Sequence, residues 1–314
     1  MAVNVVKDTH NRNHEGNCMQ HVSKILSVTA LLLVLSNVFP DCAAQAAGPW
    51  SWKSTLDGAA SGQAMKMPTA LYVDAERERY YVVDSGGNRL LSFDRQGAFV
   101  HSFGAEGKLQ TPLDMIRDEG DVIWVVEKGR NSLTSIDVKA KNISVNVLQD
   151  NGRVMVPDRM DYQDNTFYVL DKSRGAVAVL SRELKVERWF VCDDCRGGIV
   201  DFKLTKNGLW ALDLLDKKVQ RFSRDGKPEK GFSVESHVQF PVSLAVDQAE
   251  NVYVLDRHGA GIAVFDAQGV FKYAFLSKGW SRGELYYPIE IQFDPWGRLC
   301  VTEEGNGRVE IFGR

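Results

Sequence analysis

The sequence predicts an all-β protein with the architecture of a six-bladed β-propeller. Two observations lead to this prediction: a strand pattern that ends in an acidic residue recurs six times, and the last repeat lacks a strand that the N-terminal strand of the mature chain can supply. The composition agrees, since 44% of the 314 residues are hydrophobic and 25% are charged, as in ordinary globular proteins. The 27 glycines suit short strands joined by tight turns.

The repeat is defined by an acid at the end of a strand-like stretch, for example Asp84 after Tyr80-Tyr81-Val82-Val83. Successive acids are spaced by 43, 44, 42, 43 and 47 residues: Asp84, Glu127, Asp171, Asp213, Asp256 and Glu303. A large apolar residue follows each acid at the same offset of nine: Phe93, Ile136, Leu180, Phe222, Phe265 and Phe312. A period of this length fits four short strands, which make one propeller blade.

Further strands complete each repeat. We expect an inner strand to begin 14 to 16 residues before each acid, at Pro68, Pro112, Pro157, Ile199, Pro241 and Pro288. Proline suits the first residue of a strand, where no ladder donor is lost. A fourth, outer strand follows most repeats, as at 99–103 and 270–275. The sixth repeat stops after its third strand at 311–314, so the stretch 50–56 is predicted to complete blade six and cover its edge.

The order Pro-x-x-Φ-x-Φ-Asp, Φ-Tyr-Val-x-Asp and Asn-Arg-Φ-x-x-Phe, where Φ is apolar, resembles the NHL-repeat propellers. The repeat at 68–104 matches best, through Val82 to Arg89 and Phe93, and the repeat at 241–276 matches nearly as well. The repeats at 112–148 and 157–190 keep the spacing but lack the Asn-Arg pair. The resemblance covers residues 50–314 and implies a secreted bacterial-type NHL protein. This architecture carries scaffolds, RNA binders and some enzymes, so it implies little about function.

The N-terminal region contains the apolar run 25–39, which follows Lys24. This run is shorter than the about 20 residues of a membrane span and suits the core of a signal peptide. Ala44-Gln45-Ala46 fits a small-x-small cleavage site. We therefore expect residues 1–46 to be an N-terminal extension and signal peptide, cleaved near Ala46, and residues 47–314 to be a secreted or periplasmic propeller. An uncleaved segment would tether the protein to a membrane, and Met19 is an alternative start to Met1.

The column of residues two positions after each strand opening is predicted to line one mouth of the central channel. It reads Ala70, Asp114, Arg159, Asp201, Ser243 and Glu290, with Asp158 next to Arg159. Polar groups that converge on a concave surface mark a ligand site. Arg159 would pair with a carboxylate or phosphate, and the acids would bind a divalent cation or an amine. The alternative is a set of solvated rim charges that Arg159 neutralises. No resident cofactor is predicted.

Arg257 and His258 follow Asp256 on a turn expected at the same mouth, so both join the candidate ligand-binding residues. NHL-like amidating lyases resemble this fold and use a histidine-coordinated zinc near the funnel. Such a site needs neutral imidazoles that converge on one metal. Besides His258, only His101 and His237 remain after the leader, and His101 falls on an outer strand, so we do not expect a three-histidine site.

The five cysteines include one local motif, Cys192-Asp193-Asp194-Cys195. After export this pair is expected to form a small disulfide-bonded loop, with a redox or metal-binding role as the alternative. Cys300 lies on a predicted core strand and is expected to be a buried apolar filler. The six recurring acids are expected to be structural, accepting hydrogen bonds from turns and pairing with residues such as Arg89 or Arg308.

No catalytic signature occurs in the sequence: the nucleophile elbow, the His-Glu-x-x-His zinc motif, the P-loop and the dinucleotide fingerprint are all absent. The leading hypothesis is therefore an exported, monomeric binding or scaffold module that presents a site for a ligand, peptide or protein partner at the funnel mouth. The alternative is a metal-dependent lyase or hydrolase of the propeller type. Nucleic acid is disfavoured as a partner by the net charge of −3 and by scattered Lys and Arg residues.

Overall fold

The structure is a computed structural model that describes residues 49–314, so the predicted signal peptide, its cleavage site near Ala46 and the alternative start at Met19 lie outside the described residues. These residues form six four-stranded antiparallel sheets arranged as a β-propeller, and the predicted fold is confirmed. Within residues 49–314, helical structure is limited to three short 3-10 turns at Ala59–Ser61, Ser85–Gly87 and Ala105–Gly107. None of the helices in this part of the chain has the length and hydropathy needed to cross a bilayer.

The chain begins with β1 (Ser51–Leu56), and the blades follow in chain order, each from its innermost to its outermost strand. Blade 1 consists of β2 (Pro68–Asp74), β3 (Arg79–Asp84), β4 (Arg89–Asp94) and β5 (Phe99–Phe103). Blade 2 consists of β6 (Pro112–Arg117), β7 (Ile123–Glu127), β8 (Ser132–Asp137) and β9 (Asn142–Val147). A small hairpin of β10 (Gln149–Asp150) and β11 (Arg153–Val154) follows. Blade 3 consists of β12 (Pro157–Gln163), β13 (Thr166–Asp171), β14 (Ala176–Leu180) and β15 (Val186–Phe190).

The second half of the ring repeats this order. Blade 4 consists of β16 (Ile199–Thr205), β17 (Gly208–Asp213), β18 (Lys218–Phe222) and β19 (Phe232–Ser233). Blade 5 consists of β20 (Pro241–Val246), β21 (Val252–Asp256), β22 (Gly261–Phe265) and β23 (Phe271–Phe275). Blade 6 consists of β24 (Pro288–Phe293), β25 (Leu299–Glu303), β26 (Arg308–Gly313) and β1. All six inner strands begin at the predicted residues.

The ring closes as the sequence predicts, because β1 pairs with β26 as the outer strand of blade 6. Side chains reinforce the pairing: Trp52 Nε1 and Thr55 Oγ1 each donate a 2.7 Å hydrogen bond to the Glu310 carboxylate. The inner strand β24 of blade 6 also contacts β2 of blade 1. The N-terminal strand and the last strand therefore hold the ring shut together.

The recurring acids are buried supports of the turns, as predicted. Asp84 accepts 2.9 Å hydrogen bonds from the backbone N–H groups of Lys66 and Met67 and pairs with Arg89 at 2.8 Å. Glu303 pairs with Arg308 at 2.9 Å. Each acid thereby ties the end of a second strand to the connection that enters the same blade.

The hydrophobic core lies between neighbouring blades. All six apolar residues at the ninth position after each acid are almost completely buried. Phe222, for example, packs in a cluster with Phe190 and Phe202, which joins blades 3 and 4. Each blade contributes side chains to two such clusters, one on each side, so the stability of the ring depends on every inter-blade contact.

The inner strands share one irregularity that positions the axial residues. In all six blades the pairing of the inner strand with the second strand shifts at the second residue, as between Pro68 and Ala70 or between Pro288 and Glu290. Such a β-bulge bends the strand and changes the direction of the side chains beside it. The residue after each bulge is the column residue singled out in the sequence.

Candidate functional site

The two faces of the ring differ in their connections. We call the face where the inner strands begin the front face; it carries the segments that enter each blade and the turns between second and third strands. The opposite back face carries the turns between first and second strands, such as 75–78 and 118–122.

The column residues form a belt of hydrogen bonds around the axis. In four blades the column side chain accepts a hydrogen bond from the backbone N–H that follows the column position of the next blade. The pairs are Asp114 with Met160 (2.8 Å), Asp201 with Leu244 (2.9 Å), Ser243 with Ile291 (3.2 Å) and Glu290 with Leu71 (2.7 Å). The belt is interrupted where the column residue is Ala70 or Arg159. The three acids therefore have a structural role in joining blades.

Arg159 reaches across the channel at the level of this belt. It belongs to blade 3, and its Nη1 donates a 2.9 Å hydrogen bond to the carbonyl oxygen of Thr69 in blade 1. This is its one hydrogen bond to the residues that the structure describes. The guanidinium lies in the electrostatic field of Asp114, Asp201 and Glu290. Four of its five N–H donors thus remain for a ligand.

A second layer of polar groups lies two residues further along the inner strands. Lys203 follows Asp201 by two positions, and Asp161 follows Arg159 in the same way. Lys203 Nζ lies 3.9 Å from Glu290 Oε1. Neither Lys203 nor Asp161 was among the predicted site residues, and Lys203 is one of the Lys residues that look scattered in the sequence. The period of two along a strand would have indicated both, once the column was known.

Both layers line one cavity of about 180 Å³ on the axis. The cavity contains Arg159 and Lys203 together with four carboxyl side chains: Asp114, Asp161, Asp201 and Glu290. A wider cavity of about 610 Å³ lies among the back-face turns of blades 1 and 2. The two cavities share Tyr72, Arg117 and Tyr162 as lining residues, so we infer that the axial cavity is reached from the back face.

Burial changes the protonation of the axial carboxyls. It raises the pKa of Glu290 to about 7, against the opposing effect of Lys203 and Arg159. Burial also raises the pKa of Asp114 and of Asp161. Burial lowers the pKa of Lys203, but the carboxylates around it outweigh burial and raise the pKa overall, so the ammonium keeps its charge. Near neutral pH Arg159 and Lys203 therefore stay charged beside a carboxyl that can exchange a proton, while Arg117, which also lines the cavity, is paired with Asp121 at 3.2 Å.

Three predicted ligand-binding residues lie away from this cavity. Asp158 pairs with Lys172 at 3.1 Å, and Arg257 pairs with Glu304 at 2.6 Å. His258 is exposed and stacks on Phe240 with 4.4 Å between ring centroids. These residues lie at the front face, whereas the cavity extends toward the back face, so the three side chains do not line it. A ligand role for the three residues stays a prediction.

The acidic residues do not form an obvious metal site. Within residues 49–314, no three His, Cys, Asp or Glu side chains converge as a metal ion requires. Asp114, Asp201 and Glu290 accept backbone N–H donors, and Arg159 is a cation in their midst. These contacts favour a structural role for the three acids, and a divalent cation at the axis stays a prediction.

The cysteines are placed as the sequence suggests. Cys192 and Cys195 are joined by a disulfide in the connection between β15 and β16. Cys300 is a free, buried thiol on β25, and burial raises its pKa well above the usual value. A thiol with a raised pKa is a poor nucleophile, which agrees with a packing role.

The fold and the cavity together define a class: a six-bladed β-propeller with a charged axial site. Solved structures of the same fold include a streptogramin B lyase, with a TM-score of 0.64 and 10% identity over 84% of this chain and 97% of the other. A gluconolactonase from Xanthomonas campestris has a TM-score of 0.61 and 15% identity over 86% and 98% of the two chains. A catalytically inactive virginiamycin B lyase from Staphylococcus aureus, solved with quinupristin, has a TM-score of 0.60 and 13% identity over 79% and 80%.

These likenesses concern the fold. No family model matches the sequence, and no curated protein matches it significantly. The chain is thus similar in architecture to propeller enzymes, while membership of the NHL-repeat family stays a prediction.

Proposed function

We propose that the protein is an enzyme of the lyase or hydrolase type that acts on a small substrate with an anionic group at the axial cavity. The observation that carries this proposal is the convergence of Arg159 and Lys203, whose donors are largely unused, with carboxyl groups in one cavity. The fold neighbours are named as lyases and a lactonase, which favours an enzyme over the scaffold module suggested by the sequence alone.

The charge arrangement favours an anionic substrate group. Asp114, Asp201 and Glu290 already accept hydrogen bonds from neighbouring blades, whereas Arg159 makes one hydrogen bond and Lys203 only a 3.9 Å ion pair. A guanidinium matches the two oxygens of a carboxylate or phosphate. With about 180 Å³, the axial cavity is smaller than usual ligand pockets, so the anionic end would enter it while the remainder lies in the back-face cavity.

Glu290 is the group best suited to move a proton. Its pKa of about 7 lets it act as a base or an acid near neutral pH. In a lyase reaction it would remove a proton beside the cleaved bond, and in a hydrolase reaction it would activate water. Lys203 and Arg159 would stabilise the negative charge that develops on the substrate oxygen.

The experiment is a turnover screen of the purified protein with lactones and esters that carry a free carboxylate or phosphate group, with neutral gluconolactone for comparison, and hydrolysis is monitored by proton release. Glu290→Gln is expected to reduce kcat/KM by about 100-fold or more, as for loss of a general acid or base. Glu304→Gln is the matched control, because Glu304 pairs with Arg257 outside the cavity. Full activity of Glu290→Gln would overturn the assignment. Tight binding without turnover of any compound would instead support the binding-module hypothesis.

A further inference from the structure

The connection 276–287 between blades 5 and 6 is a rigid loop on the front face. Its own backbone ties it together, since Leu285 N donates to Ser277 O at 3.0 Å and Gly279 N donates to Leu285 O at 2.9 Å. These backbone hydrogen bonds hold the loop in one conformation in the free protein.

The Arg308 side chain holds the same loop through hydrogen bonds to its backbone. Its Nη1 donates to Trp280 O at 3.1 Å, and its Nη2 donates to Ser281 O at 2.8 Å and to Glu284 O at 2.9 Å. The guanidinium is itself buried and paired with Glu303 and Glu310 at 2.9 Å each. The loop conformation is therefore determined by a buried, charge-paired side chain.

This rigid loop exposes aromatic rings that nothing in the described chain covers. The Trp280 side chain is 72% exposed and Tyr287 is 40% exposed. Tyr286 connects them, with ring centroids 5.4 Å from Trp280 and 4.6 Å from Tyr287. Lys278 Nζ lies 5.6 and 5.8 Å from the two tyrosine rings. We call Lys278, Trp280, Tyr286 and Tyr287 the loop patch.

The loop 276–287 carries a net charge of +1, because Lys278 and Arg282 outnumber Glu284, whose carboxylate accepts the Ser281 N–H at 3.0 Å. Arg257 stacks over Tyr287, but Glu304 neutralises it. Lys278 and Arg282 form no ion pair with a carboxylate of residues 49–314, and the Arg282 guanidinium lies 5.4 Å from the Trp52 ring. Two cations without acidic partners thus border the exposed rings.

We propose that the loop patch is a docking surface for a partner protein that presents an acidic segment with an apolar or aromatic side chain. Exposed Trp and Tyr held on a fixed backbone are typical of the residues that dominate binding energy. Because the loop is already ordered, little conformational entropy is lost on binding. The two unpaired cations select for acidic residues in the partner.

Other occupants fit less well. Nucleic acid affinity depends on the number of phosphates neutralised, and two cations on a chain with a net charge of −3 offer few contacts. A second copy would bring like-charged patches together, which is repulsive. The surface is also independent of the proposed catalysis, since it lies on the front face and the axial cavity extends toward the back face.

The test is a selection from a random peptide display library on the purified protein, with counter-selection on the Trp280→Ala variant. Selected peptides are expected to be rich in Asp or Glu and to contain an aromatic or aliphatic residue. The selected peptides are then synthesised, and their affinity for the protein is measured by interferometry. This affinity should be at least tenfold lower for the Trp280→Ala and Lys278→Glu variants than for the wild type. Leu215→Ala is the matched control, an exposed apolar residue on a front-face turn of blade 4.

Several outcomes would overturn the proposal. These are the absence of any peptide whose binding depends on Trp280, a preference for basic peptides, and equal binding to the control and loop variants. Trp280-dependent binding of poly(U), of phosphatidylserine vesicles or of a second copy in sedimentation, without peptide binding, would assign the patch to that occupant instead. Thermal unfolding of each variant verifies that the fold is intact. Trp280→Ala is expected to fold, because Arg308 contacts Trp280 only through its backbone carbonyl, which the substitution keeps.

Discussion

Replacing Glu290 in two ways separates its structural role from its proton chemistry. Glu290→Ala removes the acceptor of the Leu71 N–H, which joins blade 6 to blade 1 at 2.7 Å. A buried donor without a partner costs about 1–3 kcal/mol, so this variant should lose that much unfolding free energy. Glu290→Gln keeps an oxygen acceptor in the same position, so the joint between the blades should survive.

The two variants should also differ from the wild type in their pH dependence. Burial raises the pKa of Glu290 from 4.5 to about 7. Between these pH values the folded protein holds a proton that the unfolded chain has released, so rising pH favours unfolding. At about 1.4 kcal/mol per pKa unit, the wild type loses up to about 3 kcal/mol from this group, and the loss is complete above about pH 7.

Glutamine does not titrate, so Glu290→Gln should gain stability relative to the wild type as pH rises from about 5 to 8. The assay is urea unfolding followed by circular dichroism for the wild type and both variants across this range. A wild type and a Gln variant with parallel pH profiles would refute the raised pKa. An Ala variant as stable as the Gln variant at pH 5 would refute the role of the carboxylate in the belt.

Three further predictions address the core, the disulfide and metal binding. Phe222→Ala should lower the unfolding free energy by about 3–5 kcal/mol in urea titrations, whereas the exposed Val270→Ala should change it little, and equal effects would contradict the inter-blade core. Peptide mass spectrometry without reductant should find Cys192 and Cys195 in one linked fragment, and two alkylated thiols would contradict this. Protein purified without chelators should carry less than one equivalent of divalent metal by elemental analysis, because the axial acids already have donors; a full equivalent that Asp201→Asn removes would restore the metal-dependent alternative.

The fold could be predicted in detail because its signals are local and repeated. Strand openings at proline and the acid at the end of each second strand recur with little variation, and the ring leaves one vacant strand position for the stretch 50–56. Less regular elements were missed, such as the hairpin Gln149–Asp150 with Arg153–Val154. The outer strand of blade 4 is reduced to Phe232–Ser233, and the irregular segment 223–231 precedes it.

The candidate site could be predicted only in part, because it depends on distances between blades. The column was found by counting from the strand openings, and Asp114, Arg159, Asp201 and Glu290 do line one cavity. The acids accept N–H donors from the next blade because neighbouring inner strands lie close together. The sequence pattern does not give the distances between blades, so these hydrogen bonds could not be predicted. The direction in which the cavity opens also depends on the packing of whole blades, so counting along the sequence did not separate His258 from the residues that line the cavity.

We propose above that Arg159 and Lys203 bind the anionic group of a small molecule in the axial cavity. Isothermal titration calorimetry at low ionic strength with gluconate, oxalate and inorganic phosphate tests it directly, on the wild type, Arg159→Met and Lys203→Met. At least one of these anions should bind the wild type, with affinity reduced tenfold or more in both variants. No binding of any of the three anions, or equal affinity in the wild type and both variants, would show that Arg159 and Lys203 do not form an anion site.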